Sequence, residues 1–222
     1  MITTLAQVLP LNIASIISPC LFAAALIILS GRKDPVLRAF LLFLGTLSLS
    51  LVTVTIGALL GNPSPEKHHE ILIAIAINFF LGALFLFFAI RVHFTKERRI
   101  NKRKLEQRKY WHIFIFGILI NVTNLDAVVL SLAAAKEAFE APAIGETAKL
   151  ILLAINVAFF TLPIWLPLAF YLVAPKTAIP ALEKFNIYLE KYGQIIMFIV
   201  FLVMGCWFFY QGIDLVINRW PW

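Results

Sequence analysis

Few residues in this sequence have the types and spacing that chemistry needs. Two acids, Asp126 and Asp214, stand inside long apolar runs. An ionisable side chain at membrane depth costs about 2.5–3.5 kcal/mol or more, which makes each a candidate for function. Asp126 falls near the middle of its run and follows Asn121, Thr123 and Asn124. A carboxylate beside two amides can bind a cation, carry a proton or hold the polar groups of a substrate. Its plainer role is an acid that is protonated or paired and fixes helix packing. Asp214 lies in the last turn of its run and can reach an interface. Asn78, Asn156 and Ser18 are the other polar groups that could line a cavity. Pro19, Pro163 and Pro167 each remove a backbone donor and crowd the preceding turn, so they are candidate hinges or static kinks. Cys20 and Cys206 form no C-x-x-C pair, and nothing demands a disulfide or structural zinc. The cluster Glu66-Lys67-His68-His69-Glu70 offers four possible metal ligands, but in a short loop it is weak evidence. Gly-rich phosphate loops, Ser/His/Asp sets and H-E-x-x-H motifs are absent from the sequence.

These residues must be held by elements that composition already restricts. Of the 222 residues 61% are hydrophobic and only 14% charged, against about 45–50% and 25% in soluble domains. An ordinary soluble enzyme and a disordered chain are both excluded, leaving an integral membrane protein. A bilayer core about 30 Å thick needs roughly 20 apolar residues per helix. Six segments qualify, at approximately Val8–Ser30, Ala39–Gly61, Ile71–Phe94, Trp111–Ala135, Leu150–Ala174 and Gly193–Ile217. The expected fold is all-α and polytopic, with no soluble domain, no cofactor and no enzymatic activity. The N-terminus lacks a basic region before its apolar run, so no cleaved signal peptide is expected.

The net charge of +7 is resolved by position. Fifteen of the nineteen lysines and arginines fall in the connections after helices 1, 3 and 5. The positive-inside rule places those connections in the cytoplasm and both termini outside. The basic run Arg91–Lys109 then reads as a topology determinant beside lipid phosphates, not as a nucleic-acid site, and Trp220-Pro221-Trp222 as an interfacial anchor. That run also divides the chain into a first three-helix unit (1–94), a linker (95–110) and a second unit (111–222). Because three is odd, the two units have opposite topology. Helix 1 carries Ser18-Pro19 before an Ala-rich run, and helix 4 carries Asn121–Asp126 before another. Inverted repeats with interrupted helices in matching positions point to a transporter with a midplane site.

At 100° per residue, Asn121, Asn124 and Ser131 share one stripe of helix 4, whereas Asp126 lies about 160° from Asn124. A continuous helix would present two polar faces, and one unwound at Asn121–Asp126 would direct both into one cavity. The sequence is compatible with either. On helix 2, Thr46, Ser50, Thr53 and Gly57 form a small-residue face continuing to Gly61, expected to pack against another helix. Ala74, Asn78 and Gly82 do the same on helix 3, where Asn78 could instead share the cavity of Asn121. The stretch Ile179–Lys191 reads as an interfacial amphipathic helix before helix 6, with Leu182, Phe185 and Leu189 on one face.

The chain resembles the lysine-exporter superfamily, specifically its peptidoglycolipid-addressing branch, which includes the sulfolipid-addressing proteins. The likeness rests on Leu9-Pro10-Leu11…Ser18-Pro19, Ala39-Phe40-Leu41-Leu42…Gly45, Asn121…Asn124 and Leu162-Pro163…Pro167. It continues through Leu182…Leu189-Glu190-Lys191-Tyr192-Gly193 to Gly205…Gly212-Ile213. The resemblance implies six helices in two inverted three-helix repeats and an association with moving glycolipids toward the cell surface. Branch members have Asn-Pro-x-Asn where this chain reads Asn121-Val122-Thr123-Asn124, which leaves the break in helix 4 open. Asp126 is outside the branch pattern and is similar to the acidic motifs of metal-ion exporters in the superfamily.

The sequence is therefore read as an exporter of a lipid-like or small amphiphilic substrate, working by alternating access. Asn121, Asn124, Asp126, Asn78, Asn156 and Ser18 would form the site, with Pro19, Pro163 and Pro167 as hinges. The expected partners are membrane lipids and a small-molecule or lipid substrate, with homodimer assembly open and no nucleic acid. The alternative is a metal-ion or other cation exporter using Asp126. Less favoured are a thiol–disulfide electron carrier, whose second cysteine would not stand on helix 6, and a lipid-organising protein that transports nothing.

Overall fold

The computed structural model describes residues 2–31, 33–61, 68–94, 109–141 and 145–218. They form α1 (Ile2–Ser15), α2 (Pro19–Leu29), α3 (Pro35–Leu60), α4 (His68–Phe94), α5 (Tyr110–Thr123), α6 (Leu125–Glu140), α7 (Glu146–Val173) and α8 (Pro175–Asn218), and there is no strand among them. Proline opens α2 and α3, where its missing N–H is one the helix start leaves unpaired anyway. Asp34, just before Pro35, adopts a left-handed conformation (φ 44°) and turns the chain into α3. Its carboxylate accepts a hydrogen bond from the Tyr110 hydroxyl at 2.6 Å, tying the start of α3 to the start of α5.

Four helices, α3, α4, α7 and α8, contain apolar spans long enough to cross a membrane, and two bent pairs raise the number to six. The pair α1–α2 bends by 45° and the pair α5–α6 by 75°. The chain is thus a multi-pass membrane protein. Its apolar exterior fits that medium, since Val173, Leu59 and Phe80 are 85%, 72% and 66% exposed with no aqueous reason to be so.

Inside, α3 packs against α5, α6 and α7, α4 against α8, and α1 against α6. The predicted small-residue face of α3 is its packing seam: Thr46, Ser50 and Thr53 are buried. A methyl group on Gly57 would lie 2.5 Å from the Leu132 carbonyl oxygen of α6. Gly45 and Gly117 face each other where α3 meets α5, and a methyl on Gly117 would lie 2.6 Å from the Leu42 carbonyl oxygen. The corresponding face of α4 meets α8, with Gly82 and Gly205 opposed and Phe85 stacked on Phe208 at 5.4 Å between ring centroids.

Three expectations need correction. Pro163 and Pro167 do not break helix 5, because α7 runs through both. Side-chain donors add bonds in the turn before Pro163, with Thr161 Oγ1 donating to the Val157 carbonyl at 2.8 Å and Trp165 Nε1 to the Ala158 carbonyl at 3.0 Å, although the carbonyls that lose their i+4 donor to the prolines are those of Phe159 and Pro163. The amphipathic stretch before helix 6 is no separate helix but the first part of the 44-residue α8. Its Leu182 and Leu189 pack into the protein with Phe22 and Leu26 of α2, and Phe185 meets the ring of Phe22 at 5.2 Å. Finally, α6 does not end at Ala135 but continues to Glu140, taking Lys136 and Glu137 into the bundle. The Glu66–Glu70 cluster, most of the basic run after Phe94 and the Trp220–Trp222 tail lie outside the described side chains.

Candidate functional site at two helix breaks

The break in the first bent pair is built from Ser18 and Pro19. Pro19 cannot continue α1, so the chain turns through Ile16–Ser18, with the Ser18 N–H donating to the Ile16 carbonyl at 2.7 Å. Ser18 then caps α2, accepting the Leu21 N–H on its hydroxyl at 3.4 Å. The second break is made without proline. Asn124 leaves helical geometry (φ −93°, ψ 58°), closes α5 with its N–H on the Asn121 carbonyl at 2.9 Å, and precedes α6. Asparagine tolerates such backbone because its short amide competes with the helix for hydrogen bonds.

The two breaks touch. Asn124 Nδ2 donates to Ser18 Oγ at 3.0 Å, so the starts of α2 and α6, 106 residues apart in sequence, are joined by one side-chain bond. Asp126 stands in the first turn of α6, half-buried. An acid in that position complements the positive end of the helix dipole. At the end of α5, Asn121 Nδ2 donates to Thr46 Oγ1 at 2.8 Å and to the Gly117 carbonyl at 2.7 Å. Its Oδ1 is buried and has no partner. Hydrogen-bonding capacity is left over beside the breaks.

The remaining predicted residues divide. Asn156 and Ser131 form a reciprocal pair, with Ser131 Oγ donating to Asn156 Oδ1 at 2.7 Å and Asn156 Nδ2 to the Ser131 carbonyl at 2.8 Å. That arrangement locks α6 to α7 and leaves little for a ligand. Asn78 does not share the surroundings of Asn121, as its Oδ1 accepts from Lys136 Nζ at 3.0 Å. Asp214 is exposed near the end of α8. Neither cysteine is in a disulfide, with Cys206 exposed and Cys20 half-buried. No group of three His, Cys, Asp or Glu side chains that could hold a metal occurs among the described residues.

Sequence reasoning missed a second polar cluster. Lys136 and Glu137 are 1% and 4% exposed, and the ammonium pairs with Glu137 at 3.6 Å and with Glu140 one turn on. Gln211 of α8 donates to Glu137 Oε2 at 3.2 Å, and Lys136 lies over the Phe208 ring at 5.6 Å. The signal was present in Lys136-Glu137…Glu140, but placing the helix end at Ala135 assigned those charges to water.

The profile of the sulfolipid-1-addressing protein (Sap) family matches residues 8–214, from α1 to near the end of α8. The chain belongs to the Sap family. The matched stretch takes in both helix breaks and the Lys136 cluster, so these are features of the Sap-like part of the molecule and not of an appended segment. No curated protein and no solved structure matches the chain.

Proposed function

We propose that this Sap-family protein is a transporter, not an enzyme, that moves a lipid-like or small amphiphilic substrate across or out of the bacterial inner membrane. The two bent pairs would be the first helices of two inverted three-helix repeats, with both termini outside. The observation that carries the reading is the hydrogen bond between Asn124 and Ser18, which joins two broken helices at the point where each is interrupted. Broken backbone at membrane depth is tolerated only where protein or a cavity satisfies it, and paired interrupted helices are where transporters hold substrate. Asn121 and Asn124 would hold polar groups of the substrate, and Ser18 would exchange its bond to Asn124 for one to the substrate. Asp126 would set the charge of the site, and Pro19 would let α1 and α2 move relative to each other. The family's association with addressing a sulfolipid makes a lipid with a polar, sugar-like head group the first substrate class to test.

The test is reconstitution of the full chain into vesicles containing a fluorescent glycolipid in both leaflets. A quencher added outside reads the rate at which the inner pool appears outside. The double variant Ser18→Ala/Asn124→Ala should lose most of the protein-dependent rate. A rate equal to wild type in well-folded double variant rejects the site. Export of a divalent cation that depends on Asp126, with no lipid movement, would favour the cation-exporter reading.

A further inference from the structure

The Lys136 cluster joins three helices, and its own three charged side chains do not cancel. Lys136 and Glu137 are almost fully buried, and Glu140 is 30% exposed. With one ammonium and two carboxylates, the group has a formal charge of −1. Among the described residues, the charges that reach Glu137 are Lys136 and Glu140 of its own helix. Among the described residues, the contacts the cluster receives from α4 and α8 are with neutral groups, the Asn78 amide, the Gln211 amide and the Phe208 ring. On the neighbouring α7, Lys149 is held by Glu146 at 3.1 Å and by the ring of Phe139.

Two atoms in this cluster lack hydrogen-bond partners. One is Glu137 Oε1, the carboxylate oxygen nearer Lys136, and the other is Nδ2 of Asn78, an amide 1% exposed whose Oδ1 is fixed on Lys136 Nζ. The Lys136 ammonium already fills the cation position between Asn78, Glu137 and Glu140, so a metal ion would have to displace it. A buried carboxylate oxygen that has an ammonium at 3.6 Å but no hydrogen bond, in a cluster whose own charges leave one negative unit over, calls for the smallest cation.

We propose that Glu137 is a proton-binding site at the junction of α6 with the α4–α8 pair. One proton from water, reaching the cluster past the partly exposed Glu140, adds to Glu137 Oε1. The cluster passes from −1 to 0, and no electrons move. Once protonated, Glu137 no longer attracts Lys136 through charge, and it holds the Gln211 amide as a neutral acceptor, the weaker of the two bond types. Proton occupancy therefore sets how firmly α8 grips α6, the half-helix that begins at Asn124. The site stands independently of the transport reading, since it follows from the charge count and packing of the cluster.

The experiment is infrared difference spectroscopy of the full chain in lipid nanodiscs, titrated from alkaline to acid pH. Wild type should gain a carbonyl band of a protonated buried carboxylic acid, equivalent to one group per chain. Glu137→Gln, which keeps shape and both neighbours, should lose that band, whereas Glu140→Gln should retain it. If Glu137→Gln fails to fold, Glu137→Asp serves instead: the band should persist and move in frequency. The proposal is overturned if wild type shows no such band, or if the band survives unchanged in a folded Glu137→Gln or Glu137→Asp chain. It is also overturned if the band disappears in Glu140→Gln instead. None of these outcomes depends on lipid movement, so failure here and failure of the transport reading can be told apart.

Discussion

Gly117→Ala sets two known effects against each other and makes the packing of α3 on α5 measurable. In the interior of a helix, Ala is favoured over Gly by about 0.8–1 kcal/mol. Here the added methyl would stand 2.6 Å from the Leu42 carbonyl oxygen, 3.2 Å from Gly45 Cα and 3.3 Å from Thr46 N. All three atoms are backbone, so no side chain can swing away, and the helices must part by roughly 0.8 Å to restore ordinary contact. Overpacking of this kind costs about 1–3 kcal/mol. Parting the helices also stretches the 2.8 Å bond from Asn121 Nδ2 to Thr46 Oγ1 one turn away, which contributes about 1 kcal/mol. The clash and the weakened bond outweigh the propensity gain, leaving a net loss of about 1–2 kcal/mol. For a chain of this size that corresponds to a midpoint lower by roughly 2–8 °C. Thermal unfolding of the chain in nanodiscs measures it. Gly145→Ala, where nothing lies within 4 Å of the new methyl, is the control and should not lower the midpoint. A Gly117→Ala protein as stable as wild type, or more so, would refute the claim that backbone approach at this crossing is what requires glycine.

Three further outcomes are expected in the same assay. Lys136→Met strands the Glu137 and Glu140 carboxylates and should cost about 3–5 kcal/mol, much of it recovered in Lys136→Met/Glu137→Gln. Asn156→Leu removes both bonds of the Ser131 pair and should cost about 1–3 kcal/mol. Adding Ser131→Ala to it should cost less than the separate effects combined, since both changes break one interaction. At the left-handed Asp34, Asn should be tolerated because asparagine adopts that conformation readily, whereas Ala should destabilise by about 1–2 kcal/mol. Tyr110→Phe isolates the hydrogen-bond share of that loss.

What the sequence made legible was whatever periodicity and expense reveal. Long apolar runs located the spans, and the recurrence of small residues at three- and four-residue steps from Thr46 to Gly61 and from Ala74 to Gly82 located two helix seams. Ser18-Pro19 marked a break because proline cannot continue a helix. Asn124 was ambiguous, since an asparagine without a following proline is as much at home in a continuous helix, and only tertiary contact with Ser18 decides between them. Pro163 and Pro167 misled for the opposite reason. Proline takes one backbone donor from a helix without necessarily ending it, and Thr161 and Trp165 add side-chain bonds to the preceding turn that spacing does not disclose. Lys136 was misplaced because a charged pair reads as the end of a span unless its partners are known, and those partners, Asn78 and Gln211, lie 58 and 74 residues away from Lys136 and Glu137.

The seam on α3 has a mechanical consequence. Its Gly45 end rests on α5 and its Gly57 and Gly61 end on α6, so one unbroken helix touches both arms of the 75° bend at Asn124. Two arms braced against a common strut form a triangle, and a triangle cannot change one angle while keeping all its sides. Any opening or closing at Asn124 must detach α3 from one arm or the other. Contacts made by backbone against backbone do not stretch gradually, so the bend should switch between discrete angles instead of flexing, with glycine seams as the latches that are released.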